Sequence, residues 1–341
     1  MNNTAKETLI YKIYSACLKP VSKILGSGLT RKLQNRTAPA VYFPIISNPK
    51  LIMTFFTKNE AEMLEKNILF HKAQGVDGFI VTDHSDLDNS LEIYQKYKEK
   101  GWVLEIITDP IKKGESQEDC VDRMIKLARD KYGADWVINN DADEFWVAKT
   151  GNLKDEVSKS YRNKILVRSY AMMSQDKGSF LYDTVKILKP FPKRVEQKLV
   201  KAEKLSPYSQ FVMPMNKVII RTSDYLMVHA GNHDADMIHT SRCYISKDIE
   251  IFHYHIRSAQ QFKDKILRLA GLVEKIKAKY GSNTDIGKNI VYYHDRLKQK
   301  DFNIDHEYAL TIGAACLDLA KKYRLMTIDT RVKDFFKNGR Y

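Results

Sequence analysis

Between Leu51 and Phe145 the chain alternates short apolar runs with stretches whose apolar residues recur at helical spacing. Leu51-Ile-Met-Thr-Phe-Phe56 predicts a buried strand, and Thr57-x-x-Glu60 has the spacing of a capping box that opens a helix to about Gly75. Gly78-Phe-Ile-Val-Thr82 predicts a second strand, followed by polar residues Asp83 to Asn89 and a helix through Ile93, Tyr94 and Tyr97. Trp102-Val-Leu-Glu-Ile-Ile107 is the third strand and stops at Asp109-Pro110. A helix from near Ser116, with Val121, Met124, Ile125 and Ala128 on one face and Gly133 as its stop, leads into the strand Trp136-Val-Ile-Asn-Asn140.

Such a βαβ series builds a mostly parallel α/β sheet with right-handed crossovers, and sheets of this kind bind ligands beyond the carboxyl ends of their strands. Asp83, Asp109 and Asp141 each follow a strand in that position, so this rim is the expected active-site edge. A turn role before Pro110 is the equal alternative for Asp109. The Asp141-Ala-Asp143 pair suits a hard cation where a diphosphate must be neutralised; a polar turn after a buried strand is the alternative, and the other strand-end acids favour the first. There is no Gly-x-Gly-x-x-Gly after the first strand and no Gly-x-x-x-x-Gly-Lys-Ser/Thr, which argues against a dinucleotide enzyme and a P-loop NTPase.

Further along, Glu250-Ile-Phe-His253-Tyr-His255-Ile-Arg257-Ser258 alternates so that His253, His255 and Arg257 share one face. Lys217-Val-Ile-Ile-Arg221 reads as a strand with its two basic residues on one face. His229, His233 and Asp234 are candidates for lining an acceptor pocket, whereas His239 reads as a solvated loop residue. Phe262, Ile266, Leu269, Leu272, Val273 and Ile276 predict a helix toward Gly281, and Tyr308 to Tyr323 predicts another.

The segments Phe56-Thr-Lys-Asn-Glu60, Val81-Thr-Asp83-His-Ser-Asp-Leu-Asp-Asn-Ser90 and Asn140-Asp-Ala-Asp-Glu-Phe145 resemble the family 2 type of glycosyltransferase with a GT-A fold, over roughly residues 50 to 265. The resemblance implies a metal-dependent enzyme that moves a sugar from a nucleoside-diphosphate sugar to a hydroxyl acceptor. Thr54 and Glu60 would border the nucleotide, Asp83 would contact the base or ribose, Asp141 would sit near the ribose and the metal shell, and Asp143 would ligate Mn²⁺ or Mg²⁺. Such enzymes often close the metal shell with a late histidine, which points to His253, with His255 as the alternative. Arg257 and Lys263 would then pair with phosphate oxygens, although Gln261 to Ile266 reads equally as the opening of the next helix. An inverting transfer also needs a carboxylate base, for which Asp234, Asp236 and Glu144 are the candidates.

The chain has 341 residues, enough for one substantial core and an appended part. The pattern divides it into a basic amphipathic segment over 1–45, a catalytic domain over 46–260 and a helical region over 261–341. The four cysteines, Cys17, Cys120, Cys243 and Cys316, lack metal-ligand spacing and suit a reducing, cytoplasmic compartment.

A net charge of +14 predicts an anionic partner. Part of that charge is at the amino end, where Lys6, Lys12, Lys19, Lys23, Arg31, Lys32 and Arg36 face only Glu7, beside an apolar stripe of Leu9, Ile10, Ile13 and Cys17. Docking at an anionic membrane surface, on the cytoplasmic face, is one reading of this segment. Packing of the stripe on the protein, with Pro20 interrupting it, is the other. No signal peptide or spanning helix is expected.

The acceptor implied by the resemblance and the charge is a cell-surface glycan or lipopolysaccharide, free or lipid-linked. A metal-dependent nucleotidyltransferase or phosphohydrolase would use the same rim. Nucleic-acid binding is the rival suggested by the charge and the 19 tyrosines, but no helix-turn-helix, zinc finger or RNP-like strand supports it, and no nucleic-acid partner is expected.

Overall fold

A computed structural model describes residues 41–109, 116–239, 243–271, 273, 288–299 and 302–339. Most of the basic amino-terminal segment and the end of the helix expected to reach Gly281 lie outside the described residues. The chain forms two compact units. One holds the described residues up to Ser169 together with Met215–Ile251, and the other holds Tyr170–Pro214 and Phe252–Asn338.

In the first unit, strands β1 (Leu51–Thr57), β2 (Gly78–Asp83), β3 (Val103–Ile107) and β4 (Trp136–Asn140) lie in the order β3-β2-β1-β4. All three pairings among them are parallel. Next come β5 (Glu144–Ala148), β6 (Lys164–Met173), β7 (Val185–Ile187), β8 (Met215–Arg221), β9 (Tyr225–Val228), β10 (Ala235–Met237), β11 (Ile245–His253) and β12 (Met326–Ile328). Strand β8 joins β4 antiparallel and β6 joins β8 antiparallel, while β9 and β10 form a separate pair.

The parallel strands read as nearly unbroken apolar runs because both faces of the sheet are covered. Leu51, Met53 and Phe55 of β1 pack on one face with Leu64 and Ile68 of helix α1 (Ala61–Ala73) and with Tyr94 and Tyr97 of α2 (Ser90–Glu99). Ile52 and Ile80 pack on the other face with Val121, Met124, Ile125 and Ala128 of α3 (Gln117–Asp130). Burying each such side chain stabilises the fold by roughly 1.5–3 kcal/mol. This mixed α/β arrangement, with a mostly parallel central sheet, is the one that the GT-A resemblance implies.

Ser116 caps α3 as a true capping box with Asp119, accepting from the Asp119 N–H while Asp119 accepts from the Ser116 N–H. The Thr57-x-x-Glu60 box does not form. Thr57 is the last residue of β1 and its hydroxyl is committed to Asp83 and Tyr94. The Ala61 N–H at the start of α1 instead donates to Asp88 Oδ2 at 2.8 Å, so the cap comes from the next loop of the rim.

The second unit is built around α4 (Lys193–Lys201), α5 (Ala259–Ala270), α6 (Lys288–Leu297), α7 (Ile304–Ile312) and α8 (Leu317–Lys322), with β7 paired to β12. Its core joins Val185, Leu205 and Phe211 to Phe262, Ile312 and Ala320. The boundary expected between residues 260 and 261 therefore falls inside this unit. Helical periodicity marks the late helices, but it does not reveal that Tyr170–Pro214 shares their core. Arg296 pairs with the buried carboxylate of Glu307 at 2.6 Å.

The single helix expected over Tyr308 to Tyr323 is broken at Gly313, which adopts φ +69°. A Cβ there would lie 2.7 Å from the Phe211 ring and 2.9 Å from Leu205, so both the backbone conformation and the space require glycine. Gly313→Ala is expected to destabilise the protein by roughly 2 to 4 kcal/mol and lower the thermal midpoint by several degrees. An unchanged midpoint in a calorimetric scan would show that the second unit absorbs the methyl group without strain.

Candidate active site

The loops after β1, β2 and β4 lie along the carboxyl edge of the parallel sheet. Asn59, at φ 57°, ties the first two together. Its Oδ1 accepts from the Asp86 and Leu87 N–H groups at 3.0 and 3.1 Å, and its own N–H donates to Ser85 Oγ at 2.8 Å. Asp83 lies inward of this junction, buried, with Oδ1 accepting from Ser85 Oγ at 2.6 Å and from Thr57 Oγ1 at 3.2 Å.

An open cleft of about 580 Å³ lies here, with Phe56, Lys58, Asp83, His84 and Thr108 among its walls. The Phe56 and His84 rings meet edge to face with centroids 5.3 Å apart. Asp109 reaches this region through its backbone: its carbonyl oxygen lies 2.9 Å from His84 Nε2, while the residue itself is exposed. Glu60 is half-buried at the N-cap of α1. Thr54 lines none of this. It is fully buried in the middle of β1 and its hydroxyl donates to Asn139 Oδ1 at 2.9 Å, so it sets β1 against β4 instead of bordering a ligand.

The Asp141-Ala142-Asp143 turn between β4 and β5 is held from beneath by a buried polar network. Asn67 Nδ2 donates to the carbonyls of Ala142 and Glu144, each at 2.8 Å. Asn140 Nδ2 donates to Asn67 Oδ1 and to the Glu144 carbonyl, and the Trp146 indole N–H donates to Asn140 Oδ1 at 2.7 Å. His71 Nε2 accepts the Trp146 backbone N–H at 2.9 Å, so its ring proton sits on Nδ1, which donates to Asn67. Burial pushes the His71 imidazole down to about 3, against a weaker opposing effect of the bond to Asn67. The ring is therefore neutral near pH 7.

From the side, Lys217 of β8 donates to Asp141 Oδ2 at 2.7 Å and lies 3.3 Å from Glu144 Oε1. Burial alone would lower the Lys217 ammonium, but the carboxylates of Glu144 and Asp141 outweigh it and hold it above its ordinary value. Glu144 is fully buried behind Lys217, which makes it a counter-ion and removes it from the candidate bases. Asp141 and Asp143 are half-buried at the surface of the turn.

The segment after β9 lies against the same turn. Asn232, at φ 57°, donates through Nδ2 to the Asn139 carbonyl at 2.6 Å, and a small cleft here is lined by Glu118, Asn139, Asp141, His229 and Asn232. His229 Nε2 pairs with Asp236 Oδ1 at 3.1 Å, a bond that raises the imidazole above its ordinary value. Asp234 is tied to Lys164 Nζ at 2.6 Å, and His233 faces the Asn216 carbonyl. His239, expected in a solvated loop, is exposed and pairs with Asp224.

In the second unit, the alternation read at the end of β11 holds for the two histidines, whose ring centroids are 4.9 Å apart. Arg257 is buried, and its carbonyl accepts from Ser174 Oγ at 2.8 Å. Ser258 caps α5 by accepting from the Gln261 N–H, so Gln261 to Ile266 does open a helix, on which Lys263 is exposed.

Among the described residues no three His, Cys, Asp or Glu side chains form a preassembled metal cluster. The donor chemistry of the turn nevertheless fits a hard divalent ion. Such an ion is commonly held by one or two carboxylates and completed by phosphate oxygens and water.

A family model described as glycosyltransferase family 92 matches residues 52–305, most of the chain. A search of curated proteins finds no significant match. Solved structures similar to this chain include a mannosyltransferase from Pyrobaculum calidifontis in complex with GDP-Man and Mn²⁺, at 13% identity over 98% of this chain and 90% of that chain, with a TM-score of 0.38. They also include S. aureus TarS 1-349 in complex with UDP, at 13% identity over 86% and 92%, with a TM-score of 0.37. GalNAc-T7 with UDP, GalNAc and Mn²⁺ is similar at 9% identity over 86% and 62%, with a TM-score of 0.39. At such low TM-scores these likenesses carry no weight of their own, and the family match carries the assignment.

The neutral His71 makes the turn sensitive to acid. Below about pH 6.5 the unfolded chain binds a proton that the folded protein refuses, so stability rises with pH and is lost as pH falls toward the folded value of about 3. The loss from this residue is at most about 1.4 kcal/mol per pH unit. Urea denaturation of the wild type and His71→Gln at about pH 7, 6 and 5 should show the shallower pH slope in the variant. Equal slopes would mean that His71 takes up its proton equally in the folded and unfolded chain, so that burial does not depress it.

Proposed function

The chain belongs to glycosyltransferase family 92, and on that premise we propose that it transfers a sugar from a nucleoside-diphosphate sugar to a hydroxyl of a cell-surface glycan or lipopolysaccharide, with Mn²⁺ or Mg²⁺ as cofactor. The observation that carries this reading is the placement, on the ends of adjacent parallel strands, of a cleft built around Asp83 and a rigid turn bearing Asp141 and Asp143. The first suits a nucleoside and the second its diphosphate.

In this reading Asp83 anchors the base or ribose, with Phe56 and His84 as the ring surfaces beside it, and Asp109 contributes its backbone to the same region. Glu60 borders the nucleotide, while Thr54 acts indirectly through Asn139. Asp143 holds the divalent ion and Asp141 shares it, and the ion offsets the negative charge that develops on the departing diphosphate.

Asp236 is the proposed base. Asp234 is held by Lys164 and by the Ala235 N–H, and Glu144 is buried against Lys217, so Asp236 is the candidate least committed to structure. Its partner His229 lines the cleft that contains Asp141.

None of the helices among the described residues is long and apolar enough to cross a membrane. We propose that the basic residues between Lys6 and Arg36 dock the enzyme at an anionic membrane surface on the cytoplasmic side, where a lipid-linked acceptor would be presented.

A thermal-shift panel of nucleotide sugars with and without Mn²⁺, on the wild type and Asp143→Asn, tests the donor site. A donor at about a hundred times its dissociation constant should add roughly 2.7 kcal/mol and raise the midpoint by several degrees. The expected result is a Mn²⁺-dependent shift for one nucleotide that Asp143→Asn abolishes. A folded wild type that no donor shifts would contradict the reading.

A further inference from the structure

We propose that the outer face of α4, together with the exposed Val212-Met213 segment beside it, docks the enzyme on an anionic lipid surface. The inference extends the membrane docking given above to a second surface, which lies wholly within the second unit and is independent of the residues between Lys6 and Arg36.

Positive charge is concentrated there. Between Lys189 and Lys204 the chain carries six basic residues, with Glu196 and Glu203 as the only acids. Arg194, Lys198 and Lys201 fall at i, i+4 and i+7, which places them on one face of α4, and all three are exposed. Val195 and Leu199 are half-buried and pack on the core of the unit. No residue of α4 is fully buried, so the helix lies on this unit as an amphipathic element whose basic face meets water.

Apolar side chains lie at the same place. The Phe191 and Phe211 rings, with centroids 4.7 Å apart, bring together the chain entering α4 and the chain entering Val212. Leu205, just beyond the end of α4, belongs to the same core as both rings. Phe211 is buried, yet Val212 and Met213 are 47% and 64% exposed. A partner offering phosphate groups alone, such as a nucleic acid, would leave this apolar pair in water. A bilayer surface suits both features: its anionic headgroups meet the basic face, and the apolar pair enters the headgroup boundary.

The test measures partitioning of the full chain onto phosphatidylcholine vesicles, with and without about a third of phosphatidylglycerol. Three variants are compared with the wild type, each first shown to be folded by circular dichroism and a thermal melt. One carries Arg194→Gln, Lys198→Gln and Lys201→Gln. The second has the same net charge but carries Lys98→Gln, Lys126→Gln and Lys247→Gln, at exposed positions of the first unit. The third carries Val212→Ser and Met213→Ser.

The wild type should bind the anionic vesicles and not the neutral ones. A basic residue held near such a surface is worth about fivefold in binding, so the α4 variant should lose at least about thirtyfold. Charges held away from the surface are screened, so the variant of matched charge should lose less than about threefold. The serine pair should lose at least about threefold. A wild type that does not bind anionic vesicles, equal losses in the two charge variants, or a serine pair that binds as the wild type does would each overturn the inference. Equal losses would leave the amino-terminal segment as the membrane contact, and every one of these outcomes leaves the sugar-transfer reading intact.

Discussion

The structure of the site depends on one constraint: the acids at the end of β4 must be held at a water-facing edge while their supports are buried in an apolar sheet. Isolated charges and unpaired amides are costly in such a place. The chain meets the constraint with two devices. Lys217 compensates Glu144 and Asp141 from the neighbouring strand, and Asn67, His71, Asn140 and Trp146 satisfy one another and the backbone carbonyls of Ala142 and Glu144. A network that is fully bonded in a low-dielectric interior is stiff, because every alternative geometry breaks a bond that water cannot replace. The turn is therefore organised before any ligand arrives.

The proposed function draws on that stiffness. A group that neutralises a leaving diphosphate is effective when it is already oriented, since reorganisation during the reaction would add to the barrier. The Asp83 junction follows the same logic at the other end of the rim. Asn59 and Asp88 supply backbone groups of neighbouring loops with their hydrogen bonds, so the β1 and β2 loops are positioned together.

Much of this architecture is legible in the sequence because it rests on local periodicity. The strands of the βαβ series, the apolar face of α3 and its Ser116 cap follow from spacing alone, as does the placement of Asp83 and Asp141 at strand ends. What escapes local reading is whatever depends on a partner distant in sequence. Thr57 and Glu60 have capping-box spacing, but Thr57 is claimed by Asp83 and Tyr94. Lys217 was recognisable as a lysine in an apolar strand, yet its partners lie more than seventy residues away. Asn67 and His71 interrupt the apolar stripe of α1 one turn apart, which signals a buried polar pair without saying what it supports. The resemblance identified the glycosyltransferase chemistry but pointed to family 2, whereas the matching model is that of family 92.

The most direct test of the account is to identify the product released from a nucleotide sugar by the wild type and by Asp143→Asn, with and without Mn²⁺. The account predicts release of the intact nucleoside diphosphate, dependent on the metal and reduced by about a hundredfold or more in the variant. Release of pyrophosphate, or undiminished turnover in Asp143→Asn, would contradict it.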